Sequence, residues 1–172
     1  MRKIICLLIL LLPAISLAYD KPAEIKDKFT AEKPYGEGTL HFMLLHVYDT
    51  SLWTDAKTFS YEHPFALSIT YRMNFSKEEL TDRSLKEIKH AHNLPDETLA
   101  RYKKIFLEIY PNVKKGDRIT AVYTAKKEVE LYHNGALYGT AKDKEFVIPF
   151  FDIWLGEKTS ELKLRNKLLG GK

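Results

Sequence analysis

The chain has 172 residues, a formal net charge of +4, 45% hydrophobic residues and one cysteine, Cys6. That length suits one domain with a real core and excludes two comfortable ones. The mild positive charge is scattered among acids and apolar residues, which argues against a nucleic-acid partner.

Arg2 and Lys3 precede the apolar run IICLLILLLPAISL, and small residues stand at Ser16 and Ala18. This pattern predicts a secretory signal peptide over 1–18, cut between Ala18 and Tyr19. The run is shorter than the roughly 20 residues of a bilayer span, and Pro13 interrupts it, so no membrane span is expected after cleavage. Cleavage leaves 154 residues in which 25 basic side chains face 23 acidic ones. Cys6 leaves with the leader, so the mature chain has no disulfide, thiolate nucleophile or cysteine-bound metal. The expected location is periplasmic or secreted.

Residues 19–35 are polar, with two prolines and scattered charges, and read as an extended lead-in to a domain over 36–172. The run TLHFMLLHVY is apolar on both alternations, which predicts one long strand covered on both faces; DTSLWTDAKTF follows as a turn and a second short strand. In FALSITYRMN, Phe65, Leu67, Ile69, Tyr71 and Met73 share one face of a third strand. Ser76 and Glu79 then form a capping box that opens a helix through about His90, with Leu80, Ser84, Ile88 and Ala91 along one stripe. Pro95 and Asp96 open another helix, ended by Pro111.

Strands return with RITAVYTA and EVELYHN, and Asn134-Gly135 predicts a tight type I′ hairpin into ALYGT, because both central positions need positive φ. The stretch from Phe146 to Leu155 is apolar almost all round and predicts a buried helix that begins or kinks near Pro149 and stops at Gly156. SELKLRNKLLG supplies a last short helix. Strands, two helices, strands and two helices make an α+β domain, an antiparallel sheet with helices packed on one face.

The ordered set GEG, VYD with SLW, FALSITY, YPNV with KKGDRIT, ELYHNGALYG and FFDIWLGE with LRNKLLG resembles the bacterial, exported branch of the chalcone isomerase-like family, from about Gly36 to Leu169. The resemblance implies an open-faced β-sandwich with a cleft between sheet and helices. In that family an arginine two residues after the second glycine commonly anchors an anionic oxygen, a task for a fixed planar cation; here Leu40 stands there. The catalytic members' threonine falls on Met43. Their tyrosine, lysine and asparagine fall on Arg83, Lys86 and His90, so only Lys86 matches and is the one candidate for a catalytic role. Without the anchoring arginine and tyrosine, isomerase activity is not expected. Non-catalytic relatives bind fatty acids in the equivalent cleft.

The histidines lack the spacing of a metal site: His90 and His92 point to different faces of a helix end, and His41 and His46, five apart on one strand, to opposite faces of a sheet. No phosphate loop, dinucleotide fingerprint or nucleophile elbow is present, so neither metal nor cofactor is expected. Phe150 and Trp154, four apart on a buried stripe, read as packing. Tyr48 and Tyr71 are buried phenols that want partners. The expected function is non-catalytic binding of a small apolar or amphipathic, fatty-acid-like ligand by Tyr48, Tyr71 and Lys86. The alternatives are a chalcone isomerase-type intramolecular lyase with substituted groups, and a structural or interaction protein whose cleft is closed by its own side chains. Oligomeric state is not legible.

Overall fold

The computed structural model describes residues 20–171; the leader expected over 1–18 lies outside them. Six antiparallel strands follow one another across a single sheet in chain order: β1 (Gly36–Phe42), β2 (Leu45–Trp53), β3 (Phe65–Tyr71), β4 (Arg118–Tyr123), β5 (Val129–His133) and β6 (Ala136–Ala141). Helices α1 (Lys77–Ala91) and α2 (Asp96–Ile109) come between β3 and β4, and α3 (Lys144–Leu155) and α4 (Leu162–Leu168) follow β6. All four cover one face of the sheet, so the α+β expectation holds. Among the described residues, no helix is long and apolar enough to cross a membrane.

Alternation on the strands builds the main core. Leu52, Phe65, Leu67, Ile69, Ile119, Ala121, Tyr123 and Leu131 turn to the helices, where Phe106, Phe146, Phe150 and Phe151 meet them. The α1 capping box is present as the sequence predicts, Ser76 and Glu79 each satisfying the other's backbone N–H. At the β5–β6 turn Asn134 and Gly135 both hold positive φ, 49° and 89°, as a type I′ hairpin requires.

Three expectations are corrected. The run TLHFMLLHVY is two strands, not one: the chain reverses at Met43-Leu44, where Phe42 pairs with Leu45, and not at DTSLW, which continues the second strand to Trp53. No residue there announces a turn, since Met43 holds φ +55° with a full side chain. Because of the reversal, His41 and His46 are cross-strand neighbours with ring centroids 5.0 Å apart, not residues on opposite faces. Val47 is the extra residue of a bulge opposite Leu40 and His41.

Of the extended segment expected over 19–35, the described residues 20–35 are also more than a lead-in. Pro22 caps a short 3-10 turn at Ala23–Ile25, and Ile25 and Phe29, four apart, bury themselves with Trp53, Ala66 and Val122 on the sheet face away from the helices. Glu24 fixes this strap, accepting from the Thr120 hydroxyl at 2.6 Å and from the Arg118 guanidinium at 3.1 and 3.2 Å. Finally, α3 starts at Lys144, a turn earlier than Pro149 suggests, because the Asp143 carboxylate caps the N–H groups of Glu145 and Phe146.

The two glycines of GEG have a packing reason. A Cβ on Gly36 would lie 2.2 Å from the Leu168 carbonyl oxygen, and one on Gly38 would lie 2.6 Å from Leu164 Cδ1. Their bare backbone lets α4 lie directly against β1.

Candidate functional site

Strand register sets three side chains in a row across the sheet: Leu40 pairs with Tyr48, and Tyr48 with Tyr71. Above them α1 presents Leu80, Arg83, Ser84 and Glu87, a spacing of three and four residues that keeps them on one face. Between sheet and helix lies a cavity of about 360 Å³, closed at its inner end by Tyr110, Ile153 and Trp154. That volume lies near the lower end of the roughly 300–1,000 Å³ common for ligand pockets. Its mouth is framed by Phe42 and Leu45, both exposed, and its walls are mostly apolar.

The polar groups of the inner wall are hydroxyls. The Trp154 indole N–H donates to the Tyr48 hydroxyl oxygen at 3.0 Å, which leaves the Tyr48 proton to be donated elsewhere. Tyr71 sits edge-on to Tyr48 with ring centroids 6.0 Å apart. Among the described residues, no protein group hydrogen-bonds the Tyr71 hydroxyl. Tyr110 and Ser84 share a bond of 3.0 Å. Burial pushes the Tyr48, Tyr71 and Tyr110 hydroxyls above the usual phenol range, so all three stay neutral O–H groups.

The charged groups of the cavity are already engaged, Arg83 and Glu161 at the rim and Glu87 from a buried position. Arg83 Nη2 meets Glu87 at 2.7 Å and Glu161 at 4.0 Å, and the Ser160 hydroxyl donates to the other Glu87 oxygen at 2.7 Å. Glu79 also lines the cavity, where backbone and side-chain bonds from Ser76 hold its carboxyl below its usual range. One guanidinium among three carboxylates gives the rim a net negative charge.

Of the residues expected to bind ligand, the structure brings Tyr48 and Tyr71 together in this cavity. Lys86 is exposed on α1 outside the cavity wall; Arg83, one turn earlier, supplies the cation there instead. Leu40 stands in the wall, so the position at which the resemblance implies an arginine is apolar. Arg72 does not replace it. Its guanidinium is turned to the other side of the sheet, where Nε and Nη2 hold Asp49 at 2.7 and 2.6 Å. Thr39 and His46 complete that carboxylate's shell at 2.8 Å each. Met43 is at the exposed hairpin tip and His90 on the exposed end of α1. Trp154 does more than the packing its spacing suggests; its indole donor has no sequence signal, because the Tyr48 partner is 106 residues away. Among the described residues, no cluster of His, Cys, Asp and Glu is placed to hold a metal ion.

A second, wider cleft of about 650 Å³ lies by the β2–β3 connection and the ends of α1 and α3. Its central carboxylate is already engaged: the Tyr61 hydroxyl donates to Asp152 at 2.7 Å, and His92 Nε2 lies 3.1 Å from the other carboxylate oxygen without a hydrogen bond to it. Burial and the adjacent Asp152 charge keep Tyr61 protonated. The smaller cavity therefore has the stronger claim, with hydroxyl protons left over and an apolar wall.

A family model described as chalcone isomerase-like matches residues 33–170. A solved fatty-acid binding protein of Arabidopsis thaliana superposes with a TM-score of 0.60 over 80% of this chain and 86% of its own, at 10% identity; at that identity the likeness is one of fold. No curated protein matches in sequence.

Proposed function

The chain belongs to the chalcone isomerase-like family, and on that premise we propose that it is a non-catalytic protein that binds a small apolar or amphipathic ligand, fatty-acid-like in shape, between sheet and helices. One observation carries this reading: two buried, neutral phenols, Tyr48 and Tyr71, stand side by side in an apolar cavity with protons that no described protein group accepts. A ligand oxygen that accepts both hydroxyls sits at the inner wall, and its apolar body extends past Leu40 and Leu80 toward Phe42 and Leu45. Binding is favoured over isomerisation because Leu40 offers no donor where negative charge would develop. It is favoured over a purely structural role because the cavity is not closed by the protein's own side chains.

We place the protein outside the cytoplasm, as residues 1–18 suggest; N-terminal sequencing of the protein from its own source tests this, with Tyr19 as the expected first residue. Native mass spectrometry of the same material, followed by organic extraction, tests the binding. A bound lipid or aromatic acid, with affinity reduced about fivefold or more in Tyr71→Phe by loss of one hydrogen bond, supports the reading. An empty protein that takes up neither fatty acids nor aromatic acids overturns it.

A further inference from the structure

The β1–β2 hairpin has an unusual tip. Phe42, Met43, Leu44 and Leu45 are 62%, 85%, 99% and 53% exposed, so four successive apolar side chains project into solvent. Such a cluster marks an interaction surface rather than ordinary scatter. The backbone adds a second, independent signal. Met43 holds φ +55°, a conformation suited to Gly or Asn and strained for a long side chain. The contrast lies within the same molecule: in an antiparallel meander the β5–β6 turn is at the same end of the sheet, and there Asn134-Gly135 meets the same demand with ordinary turn residues. Lys127 in the β4–β5 turn also holds positive φ, 58°, but with a charged side chain suited to solvent; among the described non-glycine residues at positive φ, Met43 alone is apolar, kept against both exposure and backbone preference.

We propose that the Phe42–Leu45 tip inserts into the apolar layer of a phospholipid surface and sets the cavity mouth against it. Size and position select this occupant. Four side chains on a two-residue turn fall far short of the roughly 800 Å² per partner of a stable protein interface, and they form no shaped groove. A lipid layer needs no shape complementarity, only apolar area. Phe42 and Leu45 also line the cavity, so tip and mouth are one continuous apolar surface. His41, His46 and Arg72 flank it, and Asp49, the acid beneath them, is occupied by Arg72 and His46. A ligand would then pass between membrane and cavity without crossing water. That route rests on the binding reading above; the docking itself does not.

The test is co-sedimentation of the protein, purified as its source produces it, with vesicles of phosphatidylethanolamine and phosphatidylglycerol. The double variant Met43→Asn/Leu44→Asp changes two side chains that touch neither core nor cavity, and its thermal midpoint should be unchanged or higher. The expected result is a vesicle partition coefficient lower by about tenfold or more in the variant, since apolar area drives insertion. A Leu44→Trp variant should show a blue-shifted emission on the same vesicles. Equal partition of wild type and double variant, or no binding by either, overturns the proposal. So does a self-association of the wild type that the variant loses while vesicle binding is unchanged, which assigns the tip to a second copy. Binding of a fluorescent fatty acid in vesicle-free solution separates the two readings. Retained uptake in the double variant with lost vesicle binding supports docking as a distinct step, whereas no uptake even by the wild type overturns the ligand reading and its route, and leaves docking to stand on the vesicle data.

Discussion

The Tyr102 hydroxyl donates to the Glu145 carbonyl at 2.6 Å, the carbonyl that Pro149, four residues on, has no N–H to bond. A side chain from α2 thus repairs the gap a proline leaves in α3. Tyr102→Phe should destabilise the fold by about 1 kcal/mol, the usual worth of one such bond. In a Pro149→Ala background the same change should matter less, because the substituted residue would bring its own backbone N–H to that carbonyl. Urea unfolding of the two single variants and the double variant gives the coupling directly; equal losses in both backgrounds would remove the repair role.

Glu24 should govern the acid limb of stability. Burial pushes its carboxyl up, but bonds from Thr120, its own backbone and Arg118 outweigh that and leave it below the usual glutamate range. A depressed folded value means its contribution is complete above the unfolded value of about 4.3 and is lost as pH falls through the lower folded value. Glu24→Gln should therefore unfold at lower denaturant than wild type at neutral pH, with the gap closing below about pH 4. A gap independent of pH would assign the loss to packing of the strap alone.

The paired glycines of β1 predict an order of damage. Gly36→Ala drives a methyl into the Leu168 carbonyl, which is backbone, and should lower stability by about 3 kcal/mol or more. Gly38→Ala meets only the Leu164 methyl at 2.6 Å, so it should do less. Thermal melts of the two variants check this, and the reverse order would mean that α4 shifts more easily than its contacts imply.

Rim charge should set ligand preference. Arg83 is shared by Glu87 and Glu161, and all three act on the Tyr48 hydroxyl, so a carboxylate held at the inner wall feels their surplus negative charge. Glu161→Gln should tighten fatty-acid binding about two- to fivefold, with the gain shrinking in high salt, as expected of partly exposed charges. Leu40→Arg, which puts a cation inside the wall, should tighten it further. Titration of a fatty acid against its methyl ester reads both: unchanged discrimination between acid and ester would mean the head group is not held beside Tyr48.

Much of this is legible in the sequence where local chemistry and fold agree. Strict alternation in FALSITY, the Ser76–Glu79 box and Asn134-Gly135 each carry their structure in adjacent residues. Tyr48 and Tyr71 can be found for the same reason, as inward positions on strands. The Met43-Leu44 reversal is hidden because its residues have no turn chemistry, and the apolar run around it imitates one buried strand. The docking of residues 22–29 rests on only Ile25 and Phe29 among charges. Lys86 and Arg83 are three residues apart, and only the observed rotation of α1 decides which of them meets the cavity.

The bare backbone of Gly36 and Gly38 has a temporal meaning as well. It binds the first strand to the last helix, so the inner edge of β1 stays uncovered until residues near Leu164 and Leu168 arrive. A chain emerging N-terminus first therefore cannot seal this face of its sheet until α4 has followed the six strands. The domain closes from its end back to its beginning.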